Sequence, residues 1–272
     1  MADTKAIEVL ARDLEVEEDY KQAVDEINQR LFSLAEPASS DDEAEPDAVS
    51  VTGLVTMAQC PKRFFWTDVD PLPRRRNPAA TRGTEVHRRI ELHQKGQVQF
   101  DEMSEDLYDV TDGEGSVGAY DAYISSDYAT RTADLIEAPF GFELENGYRV
   151  RGRIDAVYCE NRDWEVVDFK SGRAQADSSR LVQLQAYAVA VNEVDFGLPM
   201  PTHVEVAFAY LGGGLELISY EATAYWVDNA RSTIVDLTNR MSEERFEEKP
   251  GSWCGSCDFL RFCVPGQRQV ND

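Results

Sequence analysis

Apolar positions along this chain follow two spacings, and the switches between them predict the elements. Residues 5–35 carry apolar side chains three and four apart, the helical spacing. Residues 36–50 (EPASSDDEAEPDAVS) have acids, Ser and Pro with nothing to bury, so they predict a linker and a domain boundary near residue 50. The expected organisation is a helical arm over 1–35, an acidic linker over 36–50 and one main domain over 51–272. VTGLVTMAQCPKRFFW predicts a short helix ending near Pro61, and TRGTEVHRRIELHQKG a second one ended by Gly96. The acidic stretch 100–130 has weak patterning and predicts connecting helices.

The period then changes to two. Ile136–Leu144, Tyr148–Tyr158 and Trp164–Phe169 predict strands, the first two joined by a tight Asn146-Gly147 turn. SSRLVQLQAYAVAVNEV is helical, with Ser178 or Ser179 as N-cap. HVEVAFAYL and LELISYEA predict two strands paired across Gly212–Gly214. A last helix follows from about Ala224 to Glu244, before a cysteine-rich tail. This order predicts an α/β fold with a mixed central sheet flanked by helices.

Length and an apolar fraction of 42% suit one large core, and no apolar run is long enough to span a bilayer. The N-terminus lacks the pattern of a secretory signal, so a cytoplasmic protein without membrane contact is expected. The net charge of −24 comes with 6 Lys against 21 Arg. Acids spread evenly through a lysine-poor chain resemble the proteins of halophilic archaea, whose salt screens surface charge within a few ångströms. The acidity therefore does not exclude a nucleic-acid partner.

Candidate chemistry gathers at strand ends. Asp155 follows RVRGRI on the second predicted strand, and Asp168 ends the third in EVVDFKSG. If those strands are neighbours, both carboxylates enter one crevice, and Lys170 projects from the same face as Asp168. Two carboxylates and a lysine suit a hard divalent cation, Mg²⁺ or Mn²⁺, with the lysine orienting an attacking water. His87, in GTEVHRRIE, is a further candidate ligand, since imidazole suits Mn²⁺. Gln183 and Tyr187 lie four apart and reach one spot from the next helix.

Three of the five cysteines, Cys254, Cys257 and Cys263, form C-x2-C-x5-C, while Cys60 stands alone in AQCPKRFFW and Cys159 ends a strand. In a reducing compartment this clustering favours metal over disulfides; the spacing does not decide between zinc, the commoner occupant of such sites, and an iron–sulfur cluster.

The series GTEVH, GRIDAV, EVVDFKSG and QLQAY resembles the RecB-type nuclease domain of the PD-(D/E)XK superfamily, over residues 51–264. The resemblance implies that His87, Asp155 and Asp168 hold the metal, with the Phe169 carbonyl completing the protein shell. Lys170 becomes the catalytic lysine, and Gln183 with Tyr187 support the site or contact the DNA backbone. One cysteine before these motifs and three after them resemble the iron–sulfur staple of AddB-type helicase–nucleases and CRISPR-adaptation nucleases. That implies a [4Fe–4S] cluster on Cys60, Cys254, Cys257 and Cys263, joining Cys60 to the tail, with Cys159 a plain strand residue.

The function implied is a metal-dependent deoxyribonuclease acting on single strands or free DNA ends, in repair, recombination or CRISPR spacer acquisition. The alternative is a non-catalytic DNA-binding scaffold of a helicase–nuclease complex. No G-x-x-x-x-G-K-[ST] loop occurs in this sequence, so a helicase motor would be a separate subunit. Lys62-Arg63 and Arg74-Arg75-Arg76 are candidate phosphate contacts. Phe64, Phe65 and Trp66 are candidates for base stacking or for packing around the cluster.

Overall fold

The computed structural model describes residues 47–73, 78–97, 117–174 and 177–271. The expected helical arm, the linker up to residue 46, the Arg74–Arg76 run and the acidic residues 100–116 lie outside the described residues.

A strand, β1 (Ala48–Ser50), begins inside the segment expected to be linker. Ser50 then caps α1 (Val51–Gln59), its hydroxyl accepting from the Gly53 amide at 2.9 Å. The helix stops at Cys60, whose backbone is extended (φ −154°, ψ 106°), and restarts at Pro61 as α2 (Pro61–Phe64). Pro61 lacks an N–H and suits a first helical position, so the chain breaks at the cysteine without losing a hydrogen bond. A π-helical turn, Phe65–Val69, extends α2. Then come α3 (Pro78–Gln94), closed by Gly96 at φ 65°, α4 (Val117–Ile124) and α5 (Asp127–Thr130).

The sheet is built from β2 (Leu135–Glu143), β3 (Arg149–Glu160), β4 (Asp163–Lys170), β5 (His203–Tyr210) and β6 (Glu216–Glu221) together with β1. Pairings β1·β3 and β4·β5 are parallel and the others antiparallel, giving the mixed sheet that the apolar pattern implies. Gly147 at φ 85° takes the left-handed position of the β2–β3 connection, and its N–H bonds the Leu144 carbonyl at 3.0 Å. Asn146 stays out of that region, so the loop turns on Gly147 alone.

Helix α6 (Leu181–Glu193) connects β4 to β5 behind a short 3₁₀ turn, Ser178–Arg180. The cap of that turn is Asp177, which accepts from the Ser179 amide at 3.0 Å, in place of the serines expected from the sequence. Helix α7 (Ala224–Ser242) and a tail of short 3₁₀ turns ending in α8 (Val264–Asn271) complete the chain.

Each sheet face has its own core. Leu54 and Met57 of α1, Leu184 and Val189 of α6 and Ile234 of α7 bury one face with Ile154, Val157, Val166 and Val206. Val86, Ile90, Tyr123 and Tyr128 from α3, α4 and α5 bury the other with Tyr158, Val167, Phe169 and Leu211. Adjacent β4 residues alternate between the two cores, so Phe169 faces Tyr123 and Tyr128 (ring centroids 5.5 and 5.6 Å). Asp168 and Lys170 are left facing α6. Among the described residues no helix is long and apolar enough to cross a membrane.

One glycine fixes the segment after Lys170. The Gly212 amide donates to the Gly172 carbonyl at 3.0 Å, and a Cβ on Gly212 would lie 2.4 Å from the Gly172 carbonyl carbon. Backbone cannot swing aside as a side chain can. Gly212→Ala is expected to lower stability by about 1–3 kcal/mol, measured by thermal or urea unfolding. Gly214→Ala, with open space at its Cβ but φ 98°, is the strained but unclashing control.

Candidate active site

The site lies where the ladders on both sides of β3 open. Residues 149–151 of β3 pair with β1 and residues 156–160 with β4. Both β1 and β4 use the flank opposite β2, because residues 149–151 and 156–157 are already paired with β2 on the other side. Gly152 to Asp155 therefore have no strand partner on that flank. One step beyond Ala156↔Val167, the last registered pair of β3 and β4, Asp155 and Asp168 face each other. On the β2 side the registered pairs skip from Ile136↔Ala156 to Ala138↔Ile154, leaving Glu137 opposite Asp155. Three acids thus occupy equivalent positions on β2, β3 and β4.

Side chains satisfy what the ladder leaves open. The Phe169 amide donates to Asp155 Oδ2 at 2.8 Å, and the Tyr187 hydroxyl lies 2.9 Å from the Arg153 carbonyl. The same hydroxyl is 3.1 Å from Asp168 Oδ1, which also accepts from Gln183 Nε2 at 2.6 Å. Gln183 Oε1 accepts from Lys170 Nζ at 2.8 Å, and that ammonium sits 5.4 Å from the Phe208 ring centre. Asp168 Oδ2 is 2.6 Å from Lys170 Nζ, yet it is buried and has no hydrogen-bond donor aligned on it. Burial pushes the Asp168 carboxyl up; the Lys170 charge opposes this and Asp155 reinforces it.

From the other face, α3 brings His87 Nδ1 to 3.2 Å from Asp155 Oδ2. Burial works against a charge on His87, but the Asp155 hydrogen bond and the charges of Asp155 and Asp168 push its pKa up to about 9. His87, Glu137 and Asp155 each offer a ligand atom within 4.8 Å of the other two. The structure therefore brings His87, Asp155, Asp168, Lys170, Gln183 and Tyr187 together. Tyr187 is only 2% exposed, so it is placed to support Asp168 and cannot reach a DNA backbone. The Phe169 side chain is buried in the second core.

Glu137 is the residue that sequence analysis misses. It is a left-handed, non-glycine residue (φ 48°) inside a strand, a conformation that costs about 1–3 kcal/mol. Burial raises its carboxyl, and the nearby Asp155 charge raises it further. Arg153 Nη1 lies 3.5 Å away. The sequence gives no signal for it: counted outward from an Asn146-Gly147 turn, Glu137 falls opposite Ala156, and only the observed register, shifted by one, sets it opposite Asp155.

The cysteines form a separate centre. Cys60, Cys254, Cys257 and Cys263 line one small cavity with Arg63, Trp66 and Trp253. The Gly251 and Gly266 amides lie 3.4 and 3.3 Å from the sulfurs of Cys254 and Cys263, in position to donate to thiolates. A Cβ on Gly266 would sit 3.2 Å from Cys263 Sγ, so bare backbone lets the tail close on the sulfurs. Cys159 is not among the residues lining this cavity; burial, aided by Asp134, pushes its thiol up to about 11. Phe64 is buried, while Phe65 packs on Phe246 and Trp66 on Phe259 (centroids 5.2 and 5.8 Å), which favours packing over base stacking.

The model of the PD-(D/E)XK nuclease superfamily matches residues 48–264 of this chain. Among known proteins, the Gene 69 protein of Mycobacterium phage L5 is 31% identical over 131 residues, 47% of this chain and 43% of that protein. The chain thus spans less than half the length of that relative. The crystal structure of SSO0001 aligns over 87% of this chain and 93% of its own, with 17% identity and a TM-score of 0.48. A structure from Eubacterium rectale, provisionally assigned as an exonuclease, covers 86% and 94% with 12% identity and a TM-score of 0.49.

Strain and charge at Glu137 generate a prediction with two opposite signs. In Glu137→Gly the left-handed backbone becomes free of strain and one of the crowded acids is gone, against the extra chain entropy of glycine. Stability of the metal-free protein is expected to rise by about 0.5–1 kcal/mol, while Mn²⁺ affinity falls. Thermal unfolding and Mn²⁺ titration of the same sample check both signs.

Proposed function

The chain belongs to the PD-(D/E)XK nuclease superfamily, and from that premise we propose that it hydrolyses phosphodiester bonds in DNA with a divalent cation, Mg²⁺ or Mn²⁺. His87, Asp155 and Asp168 would hold the cation with the Phe169 carbonyl, and the geometry adds Glu137. The observation that carries this proposal is the convergence of His87, Glu137 and Asp155, each offering a ligand atom within 4.8 Å of the other two, beside the buried Asp168 and the Lys170 ammonium 2.6 Å from it. Carboxylates and an imidazole gathered this closely have the donor set to hold a hard divalent cation.

When bound, a divalent ion supplies charge for the phosphate and lowers the pKa of water. The chain's own groups do the rest. Lys170, held by Gln183 and Asp168, can orient the attacking water and oppose the charge that develops on the phosphate. Gln183 and Tyr187 occupy Asp168 Oδ1, which leaves Oδ2 to face the cation and the lysine.

The finer assignments rest on the motif resemblance. The substrate is DNA with single-stranded or free ends, processed in repair, recombination or spacer acquisition, with unwinding left to a separate helicase. The four cysteines hold a structural [4Fe–4S] cluster; the shared cavity and the amides beside two of its sulfurs support a thiolate site. The acidic, lysine-poor composition is assigned to function in concentrated salt.

The test is cleavage of end-labelled single-stranded DNA with Mn²⁺ in high-salt buffer, using anaerobically purified protein. Wild type is expected to be brown and to cut. Lys170→Ala is expected to slow cleavage by about a hundredfold or more while still binding DNA. Folded wild-type protein that binds DNA and leaves it intact would replace the enzyme with the scaffold alternative, and colourless protein containing zinc would remove the cluster.

A further inference from the structure

Gln59 is a buried polar side chain, 8% exposed, that the chemistry above does not use. It is the last residue of α1 and immediately precedes Cys60. Its amide is occupied at both ends: Oε1 accepts from Arg63 Nη1, and Nε2 donates to Asp177 Oδ2, each at 2.8 Å. Arg63 lines the cysteine cavity. Asp177, through its other oxygen, caps the turn leading into α6 by accepting from the Ser179 amide and hydroxyl.

The first turn of a helix is held by its cap, because its leading amides have no partner within the helix. Gln183 is the third residue of α6 and lies in that turn. From there it reaches Lys170 Nζ at 2.8 Å and Asp168 Oδ1 at 2.6 Å. One continuous set of hydrogen bonds and backbone thus runs from Arg63, at the cysteines, through Gln59 and Asp177 to the carboxylate and lysine of the nuclease site.

We propose that Gln59 and Asp177 are positioning residues for that site: their bridge sets the first turn of α6, and so the reach of Gln183, against the segment that carries Cys60 and Arg63. The inference rests on the nuclease assignment and adds a route by which order at the cysteine centre is felt at the cation site. It also explains why a buried amide stands beside Cys60, since an apolar residue there would leave Asp177 Oδ2 short of a donor.

The experiment compares Gln59→Ala and Asp177→Asn with wild type. Asn at 177 keeps the acceptor that caps the turn but loses the one facing Gln59. Mn²⁺ affinity is read by electron paramagnetic resonance of free Mn²⁺, kcat and KM on end-labelled single-stranded DNA, and folding by thermal unfolding. Both variants should weaken Mn²⁺ binding and lower kcat by about tenfold, with KM for DNA near wild type and the protein folded. Wild-type Mn²⁺ affinity and kcat in both variants would overturn the proposal, as would losses that only track the unfolded fraction. If wild type binds Mn²⁺ yet cuts no DNA, the nuclease assignment fails while the Mn²⁺ shift still decides the role of the bridge.

Discussion

Everything at this site depends on a gap in the hydrogen-bond ladder of β3. Between its pairing with β1 and its pairing with β4, four residues of a central strand have no strand partner on one flank. Buried backbone polar groups left without partners would be costly, so the gap persists only because side chains fill it. Tyr187 approaches the Arg153 carbonyl, and Asp155 receives the Phe169 amide. The gap also allows β4 to carry Asp168 and Lys170 past its last registered pair without closing on β3. A complete ladder would bring the strands together and leave no room for a cation or a phosphate.

Much of this was legible in the sequence because it follows from period and polarity. The three strands, the helix after them and the alternation that puts Asp168 with Lys170 are all set by local spacing. The gathering of His87 with Asp155 was not local, and the motif resemblance was needed to suggest it. Glu137 escaped because its role comes from a backbone conformation unusual for its residue type, which leaves no trace in hydropathy. The cap at Asp177 escaped for a different reason. Ser178, Ser179 and Asp177 are all good capping residues, and Asp177 alone among them also accepts from Gln59, 118 residues earlier in the chain. β1 was taken for linker because three residues of Ala-Val-Ser carry too little pattern to compete with the acids before them.

The four cysteines bring together segments far apart in the chain. Cys60 sits at a break between two helices, and the tail cysteines that share its cavity follow the last strand of the sheet in the chain. A metal or cluster shared by these cysteines would close a very long loop, which would restrain the unfolded chain more than a short one. The effect is not confined to the tail, because the break at Cys60 also ends α1, and α1 lies in the core beneath α6. The helix that supplies Gln183 and Tyr187 is therefore packed against the segment that ends at Cys60.

Charge then explains why such a site suits a divalent ion. A chain of net charge −24 repels DNA, and its candidate site concentrates that repulsion in Glu137, Asp155 and Asp168. The native state buries these acids close together beside Lys170 and His87, and the carboxyls of Glu137 and Asp168 are raised first by that burial and then by the Asp155 charge. The unfolded chain scatters the same acids and cannot hold an ion between them. A divalent cation should therefore bind the folded state selectively, stabilise it more the tighter it binds, and offset the negative charge that a phosphate would meet there. Salt that screens the remaining acids acts in the same direction, so stability, cation binding and DNA approach are governed by a single electrostatic constraint.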